Sequence, residues 1–209
     1  MAEFKPRPLK YRSLPGLSER QLAEHYKLYV GYVNKTNEIR GKLPRSDRAA
    51  ANATYSEYRE LKLEETYSLN GIKLHELYFG NLGGRGGPPD GEIGYFLDRD
   101  FGSGRTWSED FYALGLAARG WGILALDLDE ERLRNFLLDA HNLGGIQRTV
   151  PLLVLDVYEH AYFIDYGTNR AGYLNTFFRN IDWAEVNRRL QPYLPDSQIY
   201  RGSYPQPTE

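Results

Sequence analysis

Cysteine is absent from this 209-residue chain, which excludes disulfides and thiolate metal sites and leaves only nitrogen and oxygen ligands. The formal net charge is only −2, and no long block of Lys or Arg occurs, which argues against nucleic-acid or polybasic membrane contacts. No apolar run approaches the roughly 18 residues that a membrane span requires, and the first residues lack the apolar core of a signal peptide. We therefore expect a cytoplasmic protein with no membrane and no nucleic-acid partner.

The first 82 residues have the pattern of an arm followed by two helices. Residues 1–16 are rich in proline and basic side chains and predict an extended arm. Ser18 and Gln21 form a capping-box pattern, and the apolar residues that follow at helical spacing place His25 on the inward face. A second helical pattern runs from about Asp47 to Leu82 and includes His75. The two segments predict an antiparallel helical hairpin.

The second half of the chain changes from helical to strand-type periodicity. A Gly- and Pro-rich linker at 83–91 divides the chain into an arm and helical hairpin (1–82) and a C-terminal α/β domain (92–209). Strand patterns occupy 120–128, 133–140 and 150–157, and helical patterns occupy 92–100, 108–118, 173–178 and 183–190. We expect an α+β fold, an N-terminal helical hairpin followed by a three-stranded antiparallel sheet flanked by helices, with a poorly ordered tail from Pro195.

Asp156 and His160 place a carboxylate and an imidazole together at the end of the last apolar strand pattern. Only two other histidines, His25 and His75, lie on the inward faces of predicted helices. Taken singly, each histidine fits a hydrogen-bonded core residue. Together, three imidazoles and one carboxylate suit manganese, iron or zinc, and a buried Asp156 without a cation would be costly.

Three motifs include or flank these residues: Pro151–Tyr162 (PLLVLDVYEHAY), His75–Leu82 (HELYFGNL) and Asn180–Trp183 (NIDW). They resemble those of the iron/manganese superoxide dismutases, and the resemblance extends from Pro8 to Leu190. It implies superoxide dismutase activity at one manganese or iron ion per chain, with superoxide as the small substrate. The implied metal ligands are His25, His75, Asp156 and His160. It also implies a homodimer, possibly a tetramer, in which Glu159 reaches a ligand histidine of the partner subunit.

The same resemblance assigns a role to the fourth histidine. His141 lies ten residues before Pro151, about where members of the family carry the Gln or His that hydrogen-bonds the solvent bound to the metal. Gly71, four residues before His75, matches the glycine found in members whose Gln or His comes from the C-terminal domain. An alignment shifted by one residue would assign this role to Asn142 instead.

The entrance to the site departs from the family pattern. The family has a gateway His four residues and a gateway Tyr eight residues after the first ligand, whereas this chain has Tyr29 in place of the His and Tyr32 one residue early. Phe163 replaces a Tyr, and Tyr158 replaces a Trp. We therefore expect Tyr29, Tyr32 and His141 to act at the entrance. A dry aromatic wall is expected from Tyr29, Tyr78, Trp121, Tyr158 and Trp183.

Three hypotheses about function follow from these patterns. The first is a superoxide dismutase. The second is a metal-binding relative of the same fold with a structural or interaction role, which the altered entrance favours. The third is another small-substrate metal oxidoreductase that uses the same ligands.

Overall fold

Two helices of 24 residues pack against each other as an antiparallel pair in the computed structural model, which describes residues 3–194. Helix α1 spans Glu19–Lys42 and helix α2 spans Glu57–Gly80. Each begins after a serine whose hydroxyl accepts a backbone N–H of the first turn, Ser18 for α1 and Ser56 for α2. The predicted helical hairpin is therefore present.

Helix α2 begins ten residues later than the sequence pattern predicts. The side-chain oxygen of Asp47 accepts the N–H groups of residues 49 and 50, and that of Asn52 accepts those of residues 54 and 55. These local bonds compete with helix formation and hold residues 47–56 in turns. The prediction of a helix from Asp47 was wrong for this reason.

The glycine-rich segment after α2 runs closely along the backbone that precedes the last helix. Gly83 and Gly84 donate to the carbonyl of Asn180, and Gly86 donates to that of Ile181. A Cβ on Gly84 would lie 2.2 Å from the Ile181 oxygen, so a side chain is excluded there. The segment is a connection held by main-chain contacts.

The second half of the described chain is a three-stranded antiparallel sheet surrounded by short helices. Helices α3 (Gly91–Phe101) and α4 (Gly104–Ala117) precede strands β1 (Trp121–Asp127), β2 (Arg132–Leu138) and β3 (Thr149–Asp156). The strand order is β2-β1-β3, so β1 is central. Helices α5 (Phe163–Tyr166), α6 (Arg170–Arg179) and α7 (Trp183–Leu190) follow. The predicted α+β fold is confirmed, and the tail from Pro195 lies outside the described residues.

The sheet register places several polar and aromatic residues at one end. Trp121 at the start of β1 pairs with Asp156 at the end of β3 and with Leu138 at the end of β2. Because β2 ends at this edge, His141 follows only three residues later on the same side. Within residues 3–194, no helix has the length and apolar character to cross a bilayer.

A buried arginine joins the end of α2 to the sheet. Arg189 on α7 donates through Nη1 to the side-chain oxygen of Asn81 (3.1 Å) and the carbonyl of Leu152 (2.9 Å). Its Nη2 donates to the carbonyl of Leu77 (2.9 Å), and its Nε pairs with Glu185 (3.0 Å). This contact fixes α2, which carries His75, relative to β3, which carries Asp156.

Candidate metal centre

The fold brings the four predicted metal ligands together. His25 comes from α1, His75 from α2, Asp156 from the end of β3, and His160 from the 3-10 turn Glu159–Ala161. One ligand atom from each residue lies within 4.8 Å of all the others. His25, His75 and Asp156 are fully buried, and the His160 side chain is about one quarter exposed (24%).

The carboxylate of Asp156 lies at the centre of this cluster. Its Oδ2 is 3.1 Å from Nε2 of His25, 3.1 Å from Nε2 of His160 and 3.7 Å from Nε2 of His75. The Nδ1–H of His75 donates to the carbonyl of Gly71 (2.7 Å), so Nε2 of the neutral ring is an unprotonated acceptor. That Nε2 has no hydrogen-bond partner among residues 3–194. Two acceptor atoms that face each other in a buried site fit a bound cation.

The electrostatics of the cluster suit metal coordination. Burial lowers the pKa of His25 and lowers that of His75 to about 3, which keeps both rings neutral with lone pairs available. Burial opposes ionisation of Asp156, but His160 and His25 outweigh it and hold the pKa of this carboxyl well below its ordinary value. Burial also opposes protonation of His160, but Asp156 raises the pKa of this imidazole overall. The donor set is therefore one carboxylate and three imidazoles, which fits a single manganese, iron or zinc ion.

Gln21 holds the His160 turn in place, and sequence reasoning missed this role. Its Nε2 donates to the carbonyl of His160 (2.6 Å), and its Oε1 accepts the N–H of Ile164 (3.0 Å). Because its amide is used there, only the serine half of the predicted capping box forms, and the N–H of Ser18 donates to Asp165 instead (2.6 Å). The position of Gln21, one helical turn before His25 on the same face, was the available signal.

His141 lies beside the four-residue cluster with both ring nitrogens hydrogen-bonded. The indole N–H of Trp121 donates to its Nδ1 (2.9 Å), and its Nε2 is 2.8 Å from the Tyr32 hydroxyl. Since Nδ1 accepts, the proton of the neutral ring is on Nε2, which donates to Tyr32. Burial lowers the pKa of His141 to about 4, which keeps the ring neutral. Asn142, the alternative residue, is exposed.

The early position of Tyr32 does not prevent its contact with His141. Tyr32 follows His25 by seven residues in an uninterrupted α-helix, which is about two turns and returns the side chain to the same face. Gly71 leaves room for the ring, because a Cβ there would lie 2.8 Å from Cγ of Tyr32. Tyr32 and His141 are therefore brought together as the sequence predicts.

Tyr29 lies on a different side of the ligand histidines. Its hydroxyl accepts the N–H of Arg7 (2.8 Å) and donates to the carboxylate of Glu76 (2.8 Å). Burial raises its pKa to about 12. Its ring packs 6.4 Å from that of His75, but the hydroxyl faces the N-terminal arm.

An aromatic shell surrounds the cluster, with one change from the expectation. Three rings lie 5.1–5.2 Å from ligand imidazoles, namely Tyr78 beside His25, Trp121 beside His75 and Tyr158 beside His160. Trp183 instead packs against Trp107 (5.5 Å), and its indole donates to the carbonyl of Gly87. Assigning Trp183 to this wall was wrong, because α7 carries its ring away from the ligands.

Tyr67 is a further aromatic residue at the site, and the sequence analysis assigned it no role. Its ring lies 4.5 Å from that of His141 and 6.1 Å from that of Tyr32. It precedes His75 by eight residues on α2, so the two side chains are about 80° apart around the helix axis and share one broad face. This spacing was the signal in the sequence.

The helical hairpin and the small sheet bring three imidazoles and one carboxylate together around one point. This arrangement is typical of a mononuclear metalloprotein. Residues 89–189 match the model of the family "Iron/manganese superoxide dismutases, C-terminal domain". The chain is 44% identical over 189 residues to the iron superoxide dismutase of Aquifex aeolicus, covering 88% of each chain. The chain belongs to the iron/manganese superoxide dismutase family.

Other relatives extend this similarity to both metals. The chain is 37% identical to the iron superoxide dismutase of Cupriavidus metallidurans, over 93% of this chain and 98% of the relative. It is 34% identical to manganese superoxide dismutase 2 of Haloferax volcanii, over 90% of this chain and 95% of the relative. The predicted family is therefore confirmed, and its curated members include enzymes named for iron and for manganese.

Proposed function

We propose that this protein is a superoxide dismutase, which converts two superoxide anions and two protons into one O₂ and one H₂O₂. The observation that carries the proposal is the unprotonated Nε2 of His75, which faces Asp156 at 3.7 Å between His25 and His160. These four residues would hold one manganese or iron ion. The ion would supply the one-electron redox chemistry of the reaction.

The chain's own residues supply a proton donor beside this site. Hydrogen peroxide formation consumes two protons, so a dismutase needs a donor close to the reacting oxygen. The N–H of Trp121 holds Nδ1 of His141 as an acceptor, which keeps the His141 proton on Nε2. This proton points to the Tyr32 hydroxyl, so the two side chains form a polar route into an otherwise aromatic shell. Tyr32 and His141 are the proposed catalytic residues.

The aromatic shell supports selection of a small substrate. Tyr78 and Trp121 are fully buried, and both pack directly on ligand imidazoles. Such packing favours a small substrate over a larger one. It also reduces the water around the ligands, which strengthens electrostatic interactions within the site.

A metal-binding protein without dismutase activity is the second candidate. It is favoured by Tyr29, which stands at the family's gateway His position but directs its hydroxyl to Arg7 and Glu76. The paired Tyr32 and His141 favour the enzyme, because a structural metal site has no need of a proton donor beside it.

Activity should be measured on protein loaded with manganese, iron or zinc in parallel. Superoxide consumption is expected for the manganese or the iron form but not for the zinc form, since zinc has no redox chemistry. Full loading with manganese and with iron, combined with superoxide consumption no faster than in the zinc form, would overturn the proposal in favour of the metal-binding alternative.

We also propose a homodimer with Glu159 at the interface. Phe163 and Ile164, just after the His160 turn, are 47% and 44% exposed, and Glu159 beside them is exposed too. An apolar pair next to a charged group suits an isologous two-fold contact. Light scattering at micromolar concentration should give twice the monomer mass, and Phe163→Asp should give a monomer. The matched control Tyr95→Asp, at an exposed aromatic residue on α3, should stay dimeric. A monomeric unmodified protein would contradict the proposal.

A further inference from the structure

His160 is the one predicted metal ligand that lies outside the long helices and the sheet. His25 and His75 lie within helices of 24 residues, and Asp156 is the last residue of β3. His160 instead belongs to a 3-10 turn of three residues, Glu159–Ala161. Its side chain is 24% exposed, whereas those of the other three ligands are fully buried. The position of His160 therefore depends on the contacts that this turn makes with the rest of the protein.

The side-chain amide of Gln21 connects this turn to α1, the helix that carries His25. Its Nε2 donates to the carbonyl of His160 (2.6 Å), and its Oε1 accepts the N–H of Ile164 (3.0 Å). Gln21 is fully buried, so water has little access to these two bonds. It precedes His25 by one helical turn, and both side chains project from the same face of α1. Helix α1 therefore positions two ligands, His25 directly and His160 through Gln21.

The two ligands that α1 positions contact the same carboxylate oxygen. Nε2 of His25 and Nε2 of His160 each lie 3.1 Å from Oδ2 of Asp156, and the two imidazole ring centroids are 4.9 Å apart. Loss of the Gln21 amide would leave the His160 carbonyl without this donor, which favours a shift of the turn towards water. Such a shift would carry the His160 imidazole away from the other ligands.

We propose that Gln21 is a positioning residue of the metal centre, which holds His160 in place for coordination and thereby slows release of the ion. This role rests on the proposed metal centre and is independent of dismutase activity. Groups that orient a metal ligand without touching the ion typically contribute roughly 10–100-fold to metal affinity. We expect an effect of about tenfold, because Gln21 acts on one of the four ligands and through its main chain.

The simpler alternative is that Gln21 only stabilises the fold. Gln21→Met removes both hydrogen bonds and keeps a side chain of similar length and volume. Asn37→Leu is the matched control, because the Asn37 amide also bridges a backbone N–H and a backbone carbonyl from α1, those of Phe4 in the N-terminal arm (2.9 Å each). A loss of stability should be shared by both variants, whereas a change at the metal centre should occur only in Gln21→Met.

The first measurement uses cobalt(II), whose visible absorption depends on the number and geometry of its ligands. When the cobalt-loaded protein is mixed with excess EDTA, Gln21→Met should release cobalt about tenfold faster than the unmodified protein. Its absorption band before release should also differ in position or intensity, because His160 is displaced. Asn37→Leu should match the unmodified protein in both respects. An unchanged spectrum in Gln21→Met, whatever its release rate, or equal changes in the two variants would overturn the positioning role.

The second measurement needs no variant, so it holds even if Gln21→Met does not fold. If the Gln21 hydrogen bond favours metal binding, metal binding must favour that bond by the same factor, because the coupling of two equilibria is reciprocal. Nuclear magnetic resonance of the full chain should therefore show the Gln21 side-chain N–H exchanging with solvent about tenfold more slowly in the zinc-loaded than in the metal-free protein. The side-chain N–H of Asn37 should be slowed less.

The outcomes separate the positioning role from the function of the protein. Equal slowing at Gln21 and Asn37 would show only a general stabilisation by zinc, and this result or no slowing at either amide would overturn the positioning role. A chain that binds neither cobalt nor zinc would refute the metal centre and the positioning role with it. The expected results in a chain whose manganese and iron forms do not consume superoxide would support the positioning role and refute the dismutase function.

Discussion

Nε2 of His75 and Oδ2 of Asp156 face each other at 3.7 Å with no proton between them. The proton of His75 is on Nδ1, where the carbonyl of Gly71 accepts it, and the Asp156 carboxyl is held ionised. Both residues are fully buried, so water cannot easily relieve this contact. A cation bound between the two atoms would relieve this contact. Its binding free energy would then add to the stability of the fold.

Asp156→Ala is therefore expected to abolish metal binding. The metal-loaded unmodified protein should also unfold at a higher temperature than the chelated protein, because an ion that binds only the folded state stabilises it, by about 2.7 kcal/mol at a hundredfold excess over Kd. Metal analysis and calorimetry measure the two effects. Asp139→Ala is the control, since the Asp139 carboxylate lies outside the ligand cluster and forms a long ion pair of 4.0 Å with the exposed Arg119. A full complement of metal in Asp156→Ala would refute the ligand assignment.

Gly71→Ala is expected to displace Tyr32 at the entrance of the site and to leave the four metal ligands in place. The new Cβ would lie 2.8 Å from the Tyr32 ring and must displace it from His141. A misplacement of about 1 Å near a reacting group costs roughly 10²-fold in rate. The overpacking should also lower the free energy of unfolding by about 1–3 kcal/mol. The superoxide assay should show this loss at unchanged metal content.

Gly31→Ala is the matched control for Gly71→Ala. A Cβ on Gly31 would meet no atom of residues 3–194 within 4 Å beyond its chain neighbours and its own helix backbone, although the residue lies next to Tyr32 on α1. We expect unchanged activity and a gain of up to about 1 kcal/mol from helix propensity. Equal activity of the two alanine variants would show that the Tyr32 position is not important for the reaction.

Arg189→Leu tests the contact that fixes α2 relative to the sheet. The change leaves the carbonyls of Leu77 and Leu152 without their donor and Glu185 without its buried partner. The free energy of unfolding should fall by about 3–5 kcal/mol, as when one member of a buried pair is removed. Denaturant unfolding measures this change. Arg188→Leu is the control, because Arg188 pairs with the same Glu185 from an exposed position and should cost less than about 1 kcal/mol.

The candidate ligands were accessible from the sequence because local chemistry marks each of them. His25 and His75 lie on apolar helix faces, and Asp156 follows the apolar run Val150–Leu155, so burial of all three followed from periodicity. The fold class followed from the same change of period. The start of α2 did not, because the bonds that Asp47 and Asn52 make to nearby N–H groups oppose a helix that the hydrophobic pattern favours.

The residues around the ligands were harder to identify because their roles depend on contacts between distant segments. Gln21 and His160 are 139 residues apart, and no local pattern connects the Gln21 amide with the His160 carbonyl. In the sequence, Tyr67 is one of several aromatic residues on α2. Its place at the site depends on its contact with His141, which follows the end of β2. Trp183 was wrongly assigned to the aromatic wall. Its indole N–H donates to the carbonyl of Gly87 in the glycine-rich connection, a contact that no local pattern in the sequence indicates.

The last prediction concerns His141 and acid stability. Burial lowers the pKa of His141 to about 4 in the folded chain, against an ordinary value of 6.5. As pH falls below 6.5 the unfolded chain binds a proton at this residue and the folded chain does not, so acidification favours unfolding until about pH 4. Between pH 7 and pH 5 this residue should account for a loss of about 2 kcal/mol in the free energy of unfolding.

His141→Gln removes the titrating group and keeps a side chain that hydrogen-bonds. Urea unfolding of the metal-free protein at pH 7 and pH 5 should therefore show a smaller loss of stability in this variant than in the unmodified chain. Asn142→Gln, at the neighbouring exposed position, should lose as much stability as the unmodified chain. If all three proteins lose equal stability on acidification, His141 is not held neutral by burial.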